Sequence, residues 1–333
     1  MHTALSVLRL FSDGQFHSGE RTGQQLGISR TAVWKAIQHI KDDWGVKVHA
    51  VSGKGYRLAA AVTLLQHESI MDGLSLPARR LLHRLRVLVS IESTNRYMLD
   101  ALANGEAQSG EVLLAEHQTG GRGRRGRHWV SPFGQNLYLS CLWKFEMDIA
   151  NLGGLSLAIA VAVARALVRL GLPAGETGIG LKWPNDVIWQ GQKLSGILLE
   201  MRGEATGPWY VVVGVGLNTH MTAASAPPIE QPWIALQEVS KHSLDRNQIA
   251  SVVISELLLA LQQYQKTGLA AFKNEWQKLD IANGKPVSLH LPDKTLCGVA
   301  RGIDDSGGLR LEVDGTLQVL HAGEVSMRVA EHG

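Results

Sequence analysis

The run GRGRRGRHW at residues 121–129 sets four arginines, Arg122, Arg124, Arg125 and Arg127, among three glycines, Gly121, Gly123 and Gly126. Glycine lets backbone N–H groups turn toward a ligand and approach it closely, and guanidinium groups grip phosphate or carboxylate oxygens through paired hydrogen bonds. Such a run serves as an anion clamp, a solvated loop or a nucleic-acid tether, and composition alone does not separate these. Position does. A tether usually sits at a terminus, whereas this run lies between two strand-like stretches, 112–116 and 136–145, and leads into the aromatic-rich WVSPFGQNLYLS. A loop flanked in this way belongs to the middle of a folded domain, which favours the clamp.

The chain is long enough to hold more than one such domain. Its 333 residues are 45% hydrophobic and 19% charged, which supports two or three cores and argues against a disordered chain. The longest apolar run, 155–164, is stopped by Arg165, short of the ~20 residues that span a bilayer, so no membrane partner is expected. The opening MHTALSVLRLFSDG lacks the apolar core and cleavage site of an export signal, and Cys141 and Cys297 have no metal or redox spacing. Both are expected to be reduced thiols in a cytoplasmic protein, and no side chains are singled out as metal ligands. The net charge of +3 is uneven: residues 1–60 carry eight Lys or Arg against four acids, leaving −1 for the remainder. A basic first segment points to a polyanionic partner.

That segment reads as helices followed by a hairpin. Residues 3–11 are apolar at helical spacing, Asp13 and Gly14 turn the chain, and 18–26 make a second helix before the break at Gly27. Ser29 caps a third helix in which Val33, Ile37 and Ile40 form the buried stripe, leaving Arg30, Thr31, Trp34, Lys35, Gln38 and Lys41 outward. A strand at 47–51, a turn at 52–55 and a strand at 56–58 complete a pattern that resembles the winged helix-turn-helix family. The expected DNA contacts are Ser29, Arg30, Thr31, Trp34, Lys35 and Gln38, with Lys54 and Arg57 on the wing SGKGYRL. A small helical module for protein contacts is the alternative.

Beyond a boundary near residue 62, the stretch 59–86 reads as a helical linker broken at Gly73 and Pro77. A long mixed region follows, with strands expected at 87–91, 112–116, 136–145, 179–183, 187–189, 193–201 and 209–217, and helices at 155–170, 248–265 and 270–279. From Lys285 short strands alternate with turns such as DDSGG and DGT, the pattern of a small barrel. The expected units are 1–62, a linker 63–85, 86–280 and 281–333, an α+β multidomain chain.

Three further motifs carry chemistry. In LKWPNDVIW, 181–189, Lys182 ends a strand beside a Pro-Asn-Asp turn. A lysine reaching inward there could neutralise a carboxylate and a phosphate as they join, although PND is also an ordinary turn. ESTN, 92–95, stands at a strand-to-helix junction where Ser93 is as readily a helix cap as a ligand, and the glycines of VGVGLN, 213–218, are as readily packing devices.

Taken in order, ESTN, AEHQTGGRGRRGRHWVSPFGQNLYLS, LKWPNDVIW with KLSGILLE, and VGVGLN resemble the biotin protein ligase family along essentially the whole chain. The winged module makes the chain similar to those members that double as biotin operon repressors. The resemblance implies a central class II synthetase-like biotin/lipoate ligase domain and a C-terminal SH3-like barrel. It implies activation of biotin with ATP and Mg²⁺ to biotinyl-5′-AMP, and transfer of biotin to a lysine of a biotin carboxyl carrier protein. It further implies a homodimer that binds operator DNA with biotinyl-5′-AMP as corepressor. Carried over by motif, Ser93, Thr94, Asn95 and Gln118 match the ureido end of biotin, and Arg122, Gly123 and Arg124 the loop over biotin and the adenylate phosphate. Lys182 matches the lysine at the biotin carboxylate, while Asn218 and Trp233 fall where the family contacts adenine. Lys182, Arg122 and Arg124 are the expected catalytic residues. A biotin-sensing transcription factor without ligase activity, and a lipoate ligase, are the alternatives.

Overall fold

The computed structural model describes residues 2–203, 208–223, 228–291, 294–321 and 326–329. Three helices, α1 (His2–Phe11), α2 (Gly19–Leu26) and α3 (Arg30–Asp42), precede an antiparallel hairpin of β1 (Val48–Val51) and β2 (Gly55–Leu58). Ser18 and Ser29 cap α2 and α3 by accepting from the amides of Arg21 and Ala32, donors that the helices themselves cannot satisfy. Val7, Leu8, Phe11, Val33, Ile37, Ile40 and Leu58 bury one small core between these elements. This is the winged helix-turn-helix.

The chain then forms α4 (His67–Gly73), α5 (Leu76–Leu81), β3 (Arg84–Leu88), α6 (Thr94–Ala103), β4 (Glu111–Ala115), β5 (Leu137–Phe145) and α7 (Leu155–Arg169). After these come β6 (Ile179–Lys182), β7 (Asp186–Trp189), β8 (Gln192–Gly203), β9 (Trp209–Leu217), α8 (Leu236–Val239), α9 (Arg246–Thr267) and α10 (Ala270–Leu279). The seven strands make one sheet in the order β3-β4-β5-β9-β8-β7-β6. Only the β3–β4 pair is parallel. The first strand lies earlier than expected, and the linker is less passive than expected, because α4 and α5 both pack on α9.

Strand periodicity divides the sheet into two unlike faces. Leu137, Leu139, Cys141, Trp143 and Phe145 of β5, with Val211, Val213, Val215 and Leu217 of β9, enter the main core, which also contains α7 and α9. The apolar stretch Ile149–Arg169 has the length and composition of a membrane span, but 72% of its most apolar window is buried, so it serves as a core helix. On the opposite face, Leu142 and Val212 pack with Met98 and Leu99 of α6. That helix covers only part of the face, and the site occupies the rest.

The last strands, β10 (Pro286–His290), β11 (Thr295–Ile303), β12 (Leu309–Val313), β13 (Thr316–Leu320) and β14 (Ser326–Val329), form an antiparallel sheet ordered β13-β12-β11-β10-β14. The sequence pattern contained no sign of β14. Leu289, Ile303, Leu309 and Met327 belong to the same hydrophobic cluster as Leu155 and Leu157. Trp183 of the KWPND turn, 1% exposed, donates from Nε1 to Gly307 O at 3.1 Å, which ties the terminal sheet to the centre of the molecule.

Candidate active site and nucleic-acid interface

Ser93, Thr94, Asn95, Gln118, Arg122, Gly123, Arg124, Lys182, Asn218 and Trp233 all line one cleft of about 1540 Å³ on the open face of the central sheet. Its floor depends on missing side chains. A Cβ at Gly214 would overlap the Asn95 amide, and one at Gly216 the Trp129 indole. The alternation in VGVG therefore puts valine into the core and leaves room on the other face.

One end of the cleft is a neutral hydrogen-bonded network. It lies at the N-terminus of α6, where Ser93 caps the helix by accepting from Arg96 N. Thr94 donates from N and Oγ1 to Gln118 Oε1 at 2.8 and 3.1 Å, and Gln118 Nε2 donates to Ser131 Oγ at 3.1 Å. Ser140 Oγ, from β5, stands 2.8 Å from Thr94 Oγ1 and 2.6 Å from Asn95 Oδ1. Asn95 Nδ2 donates to Glu200 Oε2 at 2.8 Å. Thr94, Asn95, Gln118 and Ser140 are all buried, and each is held in place by hydrogen bonds to the others or to their neighbours.

The other end is cationic. Lys182, the last residue of β6, pairs in register with Asp186, the first of β7. Burial holds the Lys182 ammonium below its ordinary range; Asp186 opposes that shift, and the nearby cations Lys193, Arg328 and Arg127 add to it. Lys193 forms an ion pair with Asp186 at 2.8 Å and places its ammonium 5.5 Å from the centre of the Trp129 ring. Arg124 reaches Asn185 Oδ1 at 3.4 Å, and its guanidinium is likewise lowered first by burial. Cations removed from water and set against one another are stabilised by an incoming anion.

The Arg/Gly run folds as a short hairpin rather than an open loop. Arg122 and His128 form a β-bridge, Gly123 N donates to Arg127 O at 2.7 Å, and Trp129 N donates to Gly121 O at 2.9 Å. Arg122 pairs with Glu200 at 3.1 Å, the same carboxylate that fixes Asn95. Arg125, in the left-handed region at φ 59°, donates to His290 O of the terminal sheet at 3.4 Å. Across the cleft, Asn218 Nδ2 donates to Lys193 O at 3.2 Å, and the backbone at Trp233 bridges to Lys193.

Sequence reasoning passed over Ser140, Lys193, Glu200 and Arg328, and read Asp186 only as a turn residue. Lys193 offered one local signal, a lysine at the start of a mostly apolar strand-like stretch, but the anion it meets, Asp186, comes to it only with the fold. Its ion pair and aromatic contact make it as well placed as Lys182 to meet a carboxylate. The winged module lies apart from the cleft, and none of its predicted contacts lines it. Arg30, Thr31, Trp34 and Lys35 are exposed on α3, with Gln38 half-buried and the Ser29 hydroxyl engaged as the cap. On the wing, exposed Lys54 and Arg57 lie 5.9 and 4.8 Å from the centre of the Phe16 ring.

These features define a protein that joins a DNA-binding fold to a cleft with one neutral polar end and one cationic end. Residues 87–218 match the biotin/lipoate A/B protein ligase family, residues 3–57 an HTH domain and residues 283–328 the biotin protein ligase C terminal domain. The bifunctional ligase/repressor BirA of Escherichia coli (strain K12) is 43% identical over 327 residues, 98% of each chain. That of Bacillus subtilis (strain 168) is 29% identical over 328 residues, 96% of this chain and 97% of its own. A biotin protein ligase from Aquifex aeolicus, solved in complex with biotin and ATP, superposes with a TM-score of 0.62 at 28% identity, covering 75% of this chain and 100% of that one. The chain belongs to the biotin protein ligase family.

Proposed function

We propose that this chain activates biotin with ATP, transfers it to a lysine of a biotin carboxyl carrier protein, and represses transcription when its site holds the activated intermediate. The observation that supports the ligase reading most is the opposition, within one cleft, of a buried neutral network and a desolvated cation cluster. Biotin has the matching polarity, a ureido ring at one end and a carboxylate at the other. Ser93, Thr94, Asn95 and Gln118 receive the ring. Lys182 and Lys193 receive the carboxylate, and Arg122, Gly123 and Arg124 close over the phosphate. Asn218 and Trp233 flank the adenine.

In the first half-reaction a carboxylate oxygen attacks the α-phosphorus of ATP, the α–β phosphoanhydride bond breaks and pyrophosphate leaves. Lysine and arginine charges reduce the repulsion between the two anions as they meet, and they act most strongly where water is excluded. Mg²⁺ enters as part of the MgATP substrate. Among the described residues no group of three or more His, Cys, Asp or Glu side chains could cage an ion alone, and Mg²⁺ is ordinarily held largely by phosphates and water. In the second half-reaction the carrier's lysine amine attacks the carbonyl of the mixed anhydride and AMP leaves.

As repressor, a cytoplasmic homodimer presents two α3 helices and two wings to a two-fold operator, with biotinyl-5′-AMP as corepressor. The units that divide this work are 1–62, the linker 63–85, 86–280 and 281–333. Incubating the chain with labelled biotin, MgATP and a carrier domain tests the ligase reading. Covalent labelling of the carrier is expected; no labelling would leave a biotin sensor, and labelling with lipoate instead would make the chain a lipoate ligase.

A further inference from the structure

Among the described residues, the fully buried core of the winged module draws on the first 64 residues and on Phe133, with half-buried Val89 packed against it. Its ring stacks on Trp44, with centroids 5.4 Å apart and planes 14° from parallel. Trp44 follows the C-terminus of α3 and meets His39 of that helix edge-on at 5.0 Å. Phe133 itself arrives from the segment between the Arg/Gly hairpin and β5. Just before it, Ser131 Oγ accepts from Gln118 Nε2 and donates to Trp129 O at 3.0 Å. Just after it, Gly134 N donates to Glu116 O at 2.9 Å, and a Cβ on Gly134 would run into Val62. Residues 129–134 thus touch the neutral end of the cleft on one side and the core of the DNA-binding module on the other.

The chain joining the two modules is held at the same place. Glu116 and Arg246, with side chains only 3% and 1% exposed, pair at 2.7 Å. Glu116 also accepts from Leu65 N, and Arg246 donates to Thr63 O at 2.8 Å and to Asn136 O at 2.7 Å. Asn247 accepts from Gln66 N and donates to Leu64 O. Together the buried ion pair and Asn247 hold backbone groups of residues 63–66, which leaves that stretch little freedom to absorb movement. The stacked Phe133–Trp44 pair is therefore the aromatic contact through which a displacement of residues 129–133 would reach the end of α3, and close-packed contacts move between discrete arrangements rather than deform.

We propose that Phe133 is a positioning residue through which occupation of the adenylate site sets the placement of helix α3; this rests on the corepressor reading above. Linkage makes such coupling reciprocal. The test uses the full chain, biotinyl-5′-AMP and a DNA duplex that the chain itself selects from a random pool. Duplex affinity is measured with and without biotinyl-5′-AMP, and biotinyl-5′-AMP affinity with and without duplex. The unaltered chain is expected to bind the duplex roughly 10-fold tighter when the adenylate is present. In Phe133→Ala, and in Phe133→Leu, which keeps apolar volume without the stacked ring, both ratios should fall together toward one. Trp44→Leu should do the same from the other side. If these variants weaken duplex binding equally with and without biotinyl-5′-AMP, or keep the unaltered ratio, Phe133 merely supports the fold and the proposal is overturned. A ratio of one in the unaltered chain would instead overturn the corepressor reading, and the proposal with it.

Discussion

The protein carries two basic regions built from the same side chains on opposite terms. On the winged module, Arg30, Lys35, Lys54 and Arg57 stand in solvent along a helix and a hairpin. In the cleft, Lys182, Lys193 and Arg124 are partly or largely withdrawn from water and crowd one another around Asp186. Exposed cations gain from a long polyanion by releasing its counterions, an interaction that salt weakens in proportion to the contacts made. Withdrawn cations gain from a small anion that replaces their lost hydration, and salt screens them far less. Burial, more than residue type, therefore separates a surface for nucleic acid from a site for activated carboxylate chemistry.

The comparison breaks most visibly at the two lysines. Lys193→Ala and Lys182→Ala are each expected to lower adenylate formation by roughly 10²–10³-fold, the usual cost of deleting a group that meets developing charge. Pyrophosphate release measures it, and the larger loss identifies the lysine at the carboxylate. Full activity in both would remove the chemical role from the cationic end. Arg124→Gly should shorten the lifetime of bound biotinyl-5′-AMP roughly 30-fold, the scale of a lost charge-assisted hydrogen bond, as read by dilution and trapping; an unchanged lifetime would free the hairpin from its clamp role.

Smaller effects sharpen the contrast. Ser140→Ala should raise the KM for biotin about 10-fold while leaving the rate at saturating biotin nearly intact, because it loosens Thr94 and Asn95 without touching the reacting atoms. An equal loss in both parameters would place Ser140 closer to the chemistry. Arg57→Gln should weaken DNA binding only a few-fold and flatten the slope of log affinity against log salt by about one, with adenylate formation unaltered. The smallest effect is in pH. Burial lowers the Lys182 pKa, so its ammonium is lost at a lower pH than that of a free lysine, and adenylate formation should decline early on the alkaline side. Lys182→Arg, charged throughout that range, should shift the decline upward; a profile identical in both would exclude Lys182 as the titrating group.

Much of this was legible along the chain because it was written locally. The cap at Ser29, the stripe Val33, Ile37 and Ile40, and the alternation in β5 and β9 each depend on neighbours within a few residues, and they mark elements that the structure contains. Every residue carried over from the motifs as an expected ligand contact lines the same cleft. Long-range pairing was not legible: nothing in 209–217 says that β9 lies between β5 and β8, or that β14 pairs with β10. Lys193 and Glu200 escaped notice because their meaning comes from Asp186, Trp129, Arg122 and Asn95, which reach them only across the folded sheet.

The tie between Trp183 and Gly307 has a consequence for how the molecule comes apart. The terminal sheet and the ligase sheet share one hydrophobic cluster, whereas the winged module owns a second, smaller one. Cooperativity follows shared burial rather than domain count. Three units along the sequence thus become two melting units: heat should release the tail and the centre in a single transition, and the DNA-binding module, joined to them through Phe133 and the 63–66 clamp, should be the part able to unfold alone.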